Sequence, residues 1–388
     1  MEKGKTAGKL TRRLVILAAA LLIGIIVYPT SIQAAPYIGS PAYCLMDYES
    51  GQLLSGKNIY DARPVASTTK VMTAVLALEY TNNDEIATVS ARAAKTPESC
   101  IGLREGQKIK IEDLLKAALI RSGNDASVVL AEYIAGSEDI FAHLMNKKAY
   151  LLGAANTSFR NASGLPHPEH NSSCYDLAVI TRYALKNPQF ARLVATQETT
   201  MNHPGYPAGK SISNTNRLLR SYTGATGVKT GTTNAAGNCL IASAQRDDRT
   251  LISVVLRSPD RYGDSTRLLN YGYKSLTRER VVEKNHYFKQ VRVAGGKKMT
   301  VDVYPEKDVY LWLPEHQKEI EKVVKLDYRP QAPLGKGEKV GVLEIRYLGA
   351  PIERVNLITR QAVEKEPTGV WRLWYRFYLQ VQKEFREK

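Results

Sequence analysis

Residues Lys70 to Tyr80, Lys-Val-Met-Thr-Ala-Val-Leu-Ala-Leu-Glu-Tyr, form a run of apolar residues and good helix formers with no Gly or Pro. Such a run predicts a mostly buried helix, which other elements must surround. Two polar groups stand at its start. Ser67 and Lys70 are three apart, a spacing that sets a hydroxyl and an amine on one helix face within reach of each other. Lysine is seldom buried without a task or a partner. Pro64 and the polar Ser67, Thr68 and Thr69 suit a helix N-terminus, where free N–H groups and the positive dipole end favour developing negative charge. The stretch therefore predicts a serine nucleophile with a lysine base one turn later.

The flanking sequence supplies a sheet. Ala42 to Met46 and Gln52 to Ser55 enclose a polar segment ending in Gly51, which reads as a hairpin. Residues 81–187 read as mainly helical with polar breaks, including Ile111 to Leu119, Ala126 to Ala135, Phe141 to Leu152 and Asp176 to Leu185; residues 159–173, rich in Asn, His, Pro and Gly, read as a loop. Thr226 to Gly231, Cys239 to Gln245 and Leu251 to Leu256 read as strands. Strands near both ends of residues 36–283, with helices between, predict an α+β domain in which helices cover one antiparallel sheet.

Two further segments follow. Thr300 to Tyr304, Val309 to Leu313, Lys339 to Tyr347 and Arg354 to Ile358 are short Val-, Ile- and Tyr-rich runs and predict a small all-β domain over residues 284–366. In residues 367–388, Val370, Trp374, Phe377, Val381 and Phe385 fall on one helical stripe, with Trp371, Leu373 and Tyr378 at its margins and Arg372, Arg376, Lys383 and Arg386 largely elsewhere. Aromatics suit a bilayer interface and arginines suit anionic headgroups, so this amphipathic helix is expected to associate with a membrane surface.

The first 35 residues have the organisation of a signal peptide: Lys3, Lys5, Lys9, Arg12 and Arg13 precede an uncharged run from Leu14 to Val27, then Pro29, Ser31, Ala34 and Ala35. As a helix that run extends only about 21 Å, against roughly 30 Å of bilayer hydrocarbon. The chain's net charge is +16, and loss of five cations and Glu2 with the leader leaves it near +12. On an exported protein this charge points to membrane lipid or cell wall; nucleic acid is not an expected partner. Cys44, Cys100, Cys174 and Cys239 are widely spaced, and Cys44 and Cys239 lie among apolar residues, so buried thiols are favoured over disulfides. No Cys-x-x-Cys occurs, and His167-x-x-His170 sits in a Pro- and Asn-rich loop, where a solvated or loop-bracing pair is expected, not a metal site.

Three separated motifs occur in order: Ser67-Thr-Thr-Lys70, Ser122-Gly-Asn124 and Lys229-Thr-Gly231, at a helix start, an interhelical loop and a strand. Together with Arg-Pro-Val-Ala-Ser-Thr-Thr-Lys-Val-Met-Thr, Arg-Ser-Gly-Asn-Asp-Ala-Ser, Asn161-Ala-Ser-Gly-Leu-Pro and Gly-Val-Lys-Thr-Gly-Thr-Thr-Asn-Ala-Ala-Gly, they give residues 36–385 a close resemblance to the low-molecular-mass penicillin-binding proteins. These are the serine D-alanyl-D-alanine carboxypeptidases of peptidase family S11.

The resemblance implies a β-lactamase/penicillin-binding-protein transpeptidase-like fold with a helical subdomain. It also implies a membrane-attached exocellular enzyme that trims the terminal D-alanine from peptidoglycan stem peptides, without a cofactor, and is acylated by β-lactams. Ser67 would attack, Lys70 would take its proton and Ser122 would relay a proton towards the leaving nitrogen. Asn124 would hold the substrate amide and orient Lys70. Lys229 and Thr230 would attract the terminal carboxylate, beside Gly231, and the backbone N–H groups of Ser67 and Thr232 would form the oxyanion hole. DD-endopeptidase cleavage of cross-links has the same chemical needs, and a non-catalytic wall-binding protein is a further alternative. Efficient β-lactamase activity is disfavoured, because Glu169 is followed at the fourth place by Ser173 and not by the Asn of a class A water-activating loop.

Overall fold

A computed structural model describes residues 36–315, 320–326, 329–347, 349–367 and 369–386. The signal-peptide expectation for residues 1–35 lies outside them. Strands β1 (Ala42–Asp47) and β2 (Leu53–Lys57) join β7 (Ala225–Thr233), β8 (Gly237–Arg246) and β9 (Arg249–Leu256) in one antiparallel sheet of order β2-β1-β9-β8-β7. Both faces are covered. Side chains alternate across a strand, so Cys44, Met46, Ile252 and Val254 enter the core on one face while Leu45, Leu251 and Val255 enter the core on the other. With both faces apolar, the central strands read as continuous hydrophobic runs, which makes them legible in the sequence.

Helix α1 (Lys70–Tyr80) is buried from Lys70 through Ala77. Helices α2 (Ile111–Lys116), α3 (Asn124–Ala135), α4 (Glu138–Leu151), α5 (Cys174–Ala184) and α6 (Pro188–Ala195) pack around it. Helix α7 (Arg261–Lys274) covers the opposite face of the sheet, supplying Leu268, Leu269 and Tyr271. Cys44, Cys174 and Cys239 are buried thiols and Cys100 is half-buried; none of the four is bridged.

Two strand pairs depart from the reading of the sequence. Within the stretch expected to be mainly helical, β3 (Ile86–Thr88) pairs with β4 (Lys108–Lys110). Further on, β5 (Glu198–His203) pairs with β6 (Tyr206–Ser213). The second is largely solvated, with only Met201, His203 and Ile212 buried, so it carries little of the apolar alternation by which a strand is recognised.

Beyond α7, β10 (Leu276–Val282) pairs with β13 (Val309–Pro314). A second sheet, of order β11-β12-β16-β15-β14, is made by β11 (Lys289–Arg292), β12 (Thr300–Pro305), β14 (Ile320–Leu326), β15 (Lys339–Tyr347) and β16 (Ala350–Thr359). Its core, with Val303, Leu311, Leu343, Ile345 and Leu357, is separate from the two above. Strand β10 belongs to both regions, since Leu276 packs in the core under α7 and Val282 in that of the β sheet. A side-chain clasp adds to this. Buried Gln52 donates to the carbonyl of Trp312 (2.8 Å) and accepts from its N–H (2.9 Å), while the Arg249 guanidinium lies 3.5 Å from the centre of the Trp312 ring. Helix α8 (Val370–Arg386) ends the described chain, with Trp371, Trp374, Phe377 and Phe385 each more than half exposed.

Candidate active site

A 3₁₀ turn over Ala66–Thr69 delivers Ser67 at the start of α1. Ala66 has φ +48°, the left-handed region that costs a non-glycine residue on the order of 1–3 kcal/mol. Lys70, fully buried, has three oxygen neighbours: Asn124 Oδ1 at 2.7 Å, the Ser163 carbonyl at 2.7 Å and Ser67 Oγ at 3.0 Å. Asn124 cannot be turned over, because its Nδ2 donates to the Pro97 carbonyl (2.9 Å). The first two neighbours can therefore only accept. The amine therefore donates to both, and its third position, a hydrogen on the ammonium or the lone pair on the neutral amine, faces Ser67 Oγ. Burial, and next the charge of Lys229, hold the Lys70 amine well below the usual lysine range.

Asn124 is held from beneath. The next residue, Asp125, is buried and accepts from the N–H groups of Ile101, Gly102 and Leu103, at 3.0–3.1 Å. This pins the segment whose Pro97 and Ser99 carbonyls receive the Asn124 amide and backbone N–H.

Ser122 follows a π-helical turn over Ala117–Arg121 and has φ 71°, so the chain leaves the helix sharply and turns the hydroxyl towards β7. There the buried Lys229 donates to Ser122 Oγ (2.9 Å) and to the Thr230 carbonyl (3.0 Å). Burial, and next the nearby Arg261, draw the Lys229 amine down to about 7. Arg261, at the start of α7, donates to the Gly231 carbonyl (3.1 Å) and to Thr232 Oγ1 (2.8 Å), and Thr215 Oγ1 lies 2.7 Å from Thr230 Oγ1.

Two glycines let backbone meet backbone at the nucleophile. A Cβ on Gly231 would lie 2.9 Å from the Val65 carbonyl and 3.1 Å from Ser67 N, so β7 runs flush against the 3₁₀ turn. A Cβ on Gly164, at φ +85°, would sit 1.9 Å from the Ala66 carbonyl. Beside this contact opens a cleft of about 330 Å³, lined by Pro64, Leu165, Pro166, His167, Thr233 and Ala235 among others.

The eight residues singled out in the sequence thus fall into two contacting sets. Ser67, Lys70 and Asn124 form one; Ser122, Lys229 and Thr230 form the other, with Gly231 abutting the serine and Thr232 tied to Arg261. Sequence reasoning missed Arg261, Thr215 and the Ser163 and Pro97 carbonyls. The carbonyls have no side-chain signature; Arg261 and Thr215 arrive by long-range packing. His170 is a brace: its Nδ1 accepts from the Arg160 N–H (3.1 Å) and its Nε2 meets Thr69 Oγ1 (2.8 Å), so both ring nitrogens are already engaged. Glu169 is exposed and paired with Arg160 at 3.0 Å.

A hydroxyl 3.0 Å from a buried lysine amine whose pKa is lowered, on a helix seated against an antiparallel sheet, fits a serine–lysine acyl-transfer hydrolase. The chain belongs to the D-alanyl-D-alanine carboxypeptidase family, peptidase family S11, whose model matches residues 30–260, and it is a serine-type D-Ala-D-Ala carboxypeptidase. The model of the penicillin-binding protein 5 C-terminal domain matches residues 277–365. The chain is 33% identical over 349 residues to the D-alanyl-D-alanine carboxypeptidase DacC of Escherichia coli, covering 85% of this chain and 86% of that one. It is 31% identical over 331 residues to DacF of Bacillus subtilis, covering 83% and 85%. The crystal structure of penicillin-binding protein 5 from Haemophilus influenzae is similar, with a TM-score of 0.67 and 30% identity over 85% of this chain and 99% of that one.

Proposed function

We propose that the protein removes the terminal D-alanine from peptidoglycan stem peptides through an acyl-enzyme on Ser67, and that β-lactams acylate the same oxygen. The observation that carries the roles is the Lys70 amine, whose acceptors at Asn124 and Ser163 leave its lone pair for the Ser67 proton.

Ser67 Oγ adds to the carbonyl carbon of the penultimate D-alanine as its proton passes to Lys70. The oxyanion is received by the N–H groups of Ser67 and Thr232, each worth on the order of 3 kcal/mol. Collapse breaks the peptide bond, and the departing amine takes the proton that Lys70 received from Ser67, relayed through Ser122, which Lys229 contacts, so that Lys70 is neutral again. Water then attacks the ester with Lys70 again as base, releasing the shortened peptide and restoring the Ser67 hydroxyl. Lys229 and Thr230 attract the terminal carboxylate, and Asn124 holds the substrate amide.

The proposed division is a leader over 1–35, a catalytic domain over 36–283, a β-rich domain over 284–366 and a membrane-associating helix over 367–388. The leader motif supports export, and the exposed aromatics of α8 support attachment to the outer face of the cytoplasmic membrane.

The experiment is labelling with fluorescent penicillin and mass spectrometry of a stem pentapeptide. Wild type should be labelled and should release one alanine, and Ser67→Ala should do neither. Equal labelling of Ser67→Ala would sink the reading.

A further inference from the structure

Thr69 and His170 take no part in the steps above, yet they form a continuous chain of hydrogen bonds that ends at the nucleophile segment. His170 Nδ1 accepts from the backbone N–H of Arg160 (3.1 Å). In a neutral imidazole the hydrogen is then on Nε2, which donates to Thr69 Oγ1 (2.8 Å). The Thr69 hydroxyl, having accepted, donates to the Ala66 carbonyl (2.8 Å). His170 is nearly fully buried, and burial, with His167, Arg160 and Lys70 around it, keeps the ring neutral at physiological pH.

The end of the chain matters because of peptide geometry. The Ala66 carbonyl and the Ser67 N–H belong to one planar unit and point in opposite directions. Whatever fixes the carbonyl aims the N–H. Ala66 is in the left-handed region at φ +48°, so local preference does not hold this plane, and the close approaches of Gly164 at its carbonyl and Gly231 at its nitrogen are packing contacts that limit it without aiming it.

We propose that Thr69 and His170 are positioning residues that aim the Ser67 N–H at the oxyanion, by anchoring the opposite end of the same peptide plane to the backbone of Arg160. The inference rests on the reading of Ser67 as nucleophile and oxyanion donor. A group that only stabilised the fold would change melting temperature and ground-state binding together with rate; an aiming group changes the tetrahedral state selectively.

The test uses Thr69→Val, Thr69→Ser, His170→Phe and His170→Gln in the full chain. The readouts are kcat, KM, the penicillin acylation rate, affinity for a peptidyl boronate that forms a tetrahedral adduct on serine, and Tm. Thr69→Val and His170→Phe should lower kcat and acylation about ten- to a hundredfold, with boronate affinity falling in parallel and KM nearly constant. Thr69→Ser restores the hydroxyl and should recover most of the rate; His170→Gln can present an acceptor and a donor in the same order and should recover part of it. Unchanged acylation in folded Thr69→Val, or a loss of rate without loss of boronate affinity, overturns the relay. Should Ser67→Ala keep its penicillin label, the reading of the site falls first. Loss of that label alongside wild-type rates in Thr69→Val removes the relay alone.

Discussion

Lys70 Nζ lies 2.7 Å from Asn124 Oδ1, a neutral acceptor that takes one of the amine's hydrogens without offering it a counter-charge. The isosteric Asn124→Asp would put a carboxylate there and favour the protonated amine. In proton terms, a raised Lys70 pKa means that the base is present only at higher pH. The acid limb of kcat/KM should move to higher pH in this variant, and the rate at pH 7 should fall about a hundredfold. A pH–rate profile of both proteins checks it; an unmoved limb would mean that Lys70 is not the base.

Lys229, drawn down to about 7, is charged below that pH and loses its charge as pH rises through it in the free enzyme. Attraction for a substrate carboxylate should fade over the same range. KM for a D-alanyl-D-alanine peptide should rise about tenfold between pH 7 and 9, while KM for the C-terminally amidated peptide should stay flat.

Gly231→Ala inserts a methyl 2.9 Å from the Val65 carbonyl and 3.1 Å from Ser67 N. Strand and nucleophile must separate to admit it. Stopped-flow acylation should slow by more than about a hundredfold, because reacting groups tolerate little displacement, and stability should fall by about 1–3 kcal/mol. Acylation at the wild-type rate would contradict the close seating.

Gln52→Leu removes both hydrogen bonds to Trp312 and leaves the tryptophan's backbone N–H and carbonyl without their present partner. A cost of about 2–3 kcal/mol follows, and the β-rich region should lose its cooperativity with the rest. Calorimetry should resolve a second, lower transition while turnover of a soluble peptide at 25 °C is unchanged.

Truncation before Val370 removes the exposed Trp371, Trp374, Phe377 and Phe385. Burying such side chains is worth about 1.5–3 kcal/mol each. Sedimentation with anionic vesicles should fall from substantial to negligible, with kcat/KM on soluble peptides intact.

The central strands and α1 were readable in the sequence because both are apolar over whole turns or whole faces, and candidate site residues were readable because each of three motifs keeps its members within a few residues, although Asn124 and Ser122 find their partners, Lys70 and Lys229, in the other motifs. What escaped was assembled across distance. Arg261 reaches β7 from the start of α7, the Ser163 carbonyl reaches Lys70 from a loop, and neither pattern exists in local spacing. The expected burial of cysteines matches three of the four thiols, and Cys100 lies only half-buried. Strands β5 and β6 escaped for another reason: a solvated hairpin does not need the apolar alternation that announces a strand.

The outward turn of Glu169 towards Arg160 bears on antibiotic action. With that carboxylate paired to Arg160, Lys70 serves both halves of the proposed cycle. A D-alanine leaving group diffuses away and opens a path for water to that amine. The amine released from a β-lactam ring is still tethered to the adduct and remains beside the ester. The proposed site would then be quick to capture the drug and slow to discharge it, because among the described residues Lys70 is the base hydrogen-bonded to Ser67.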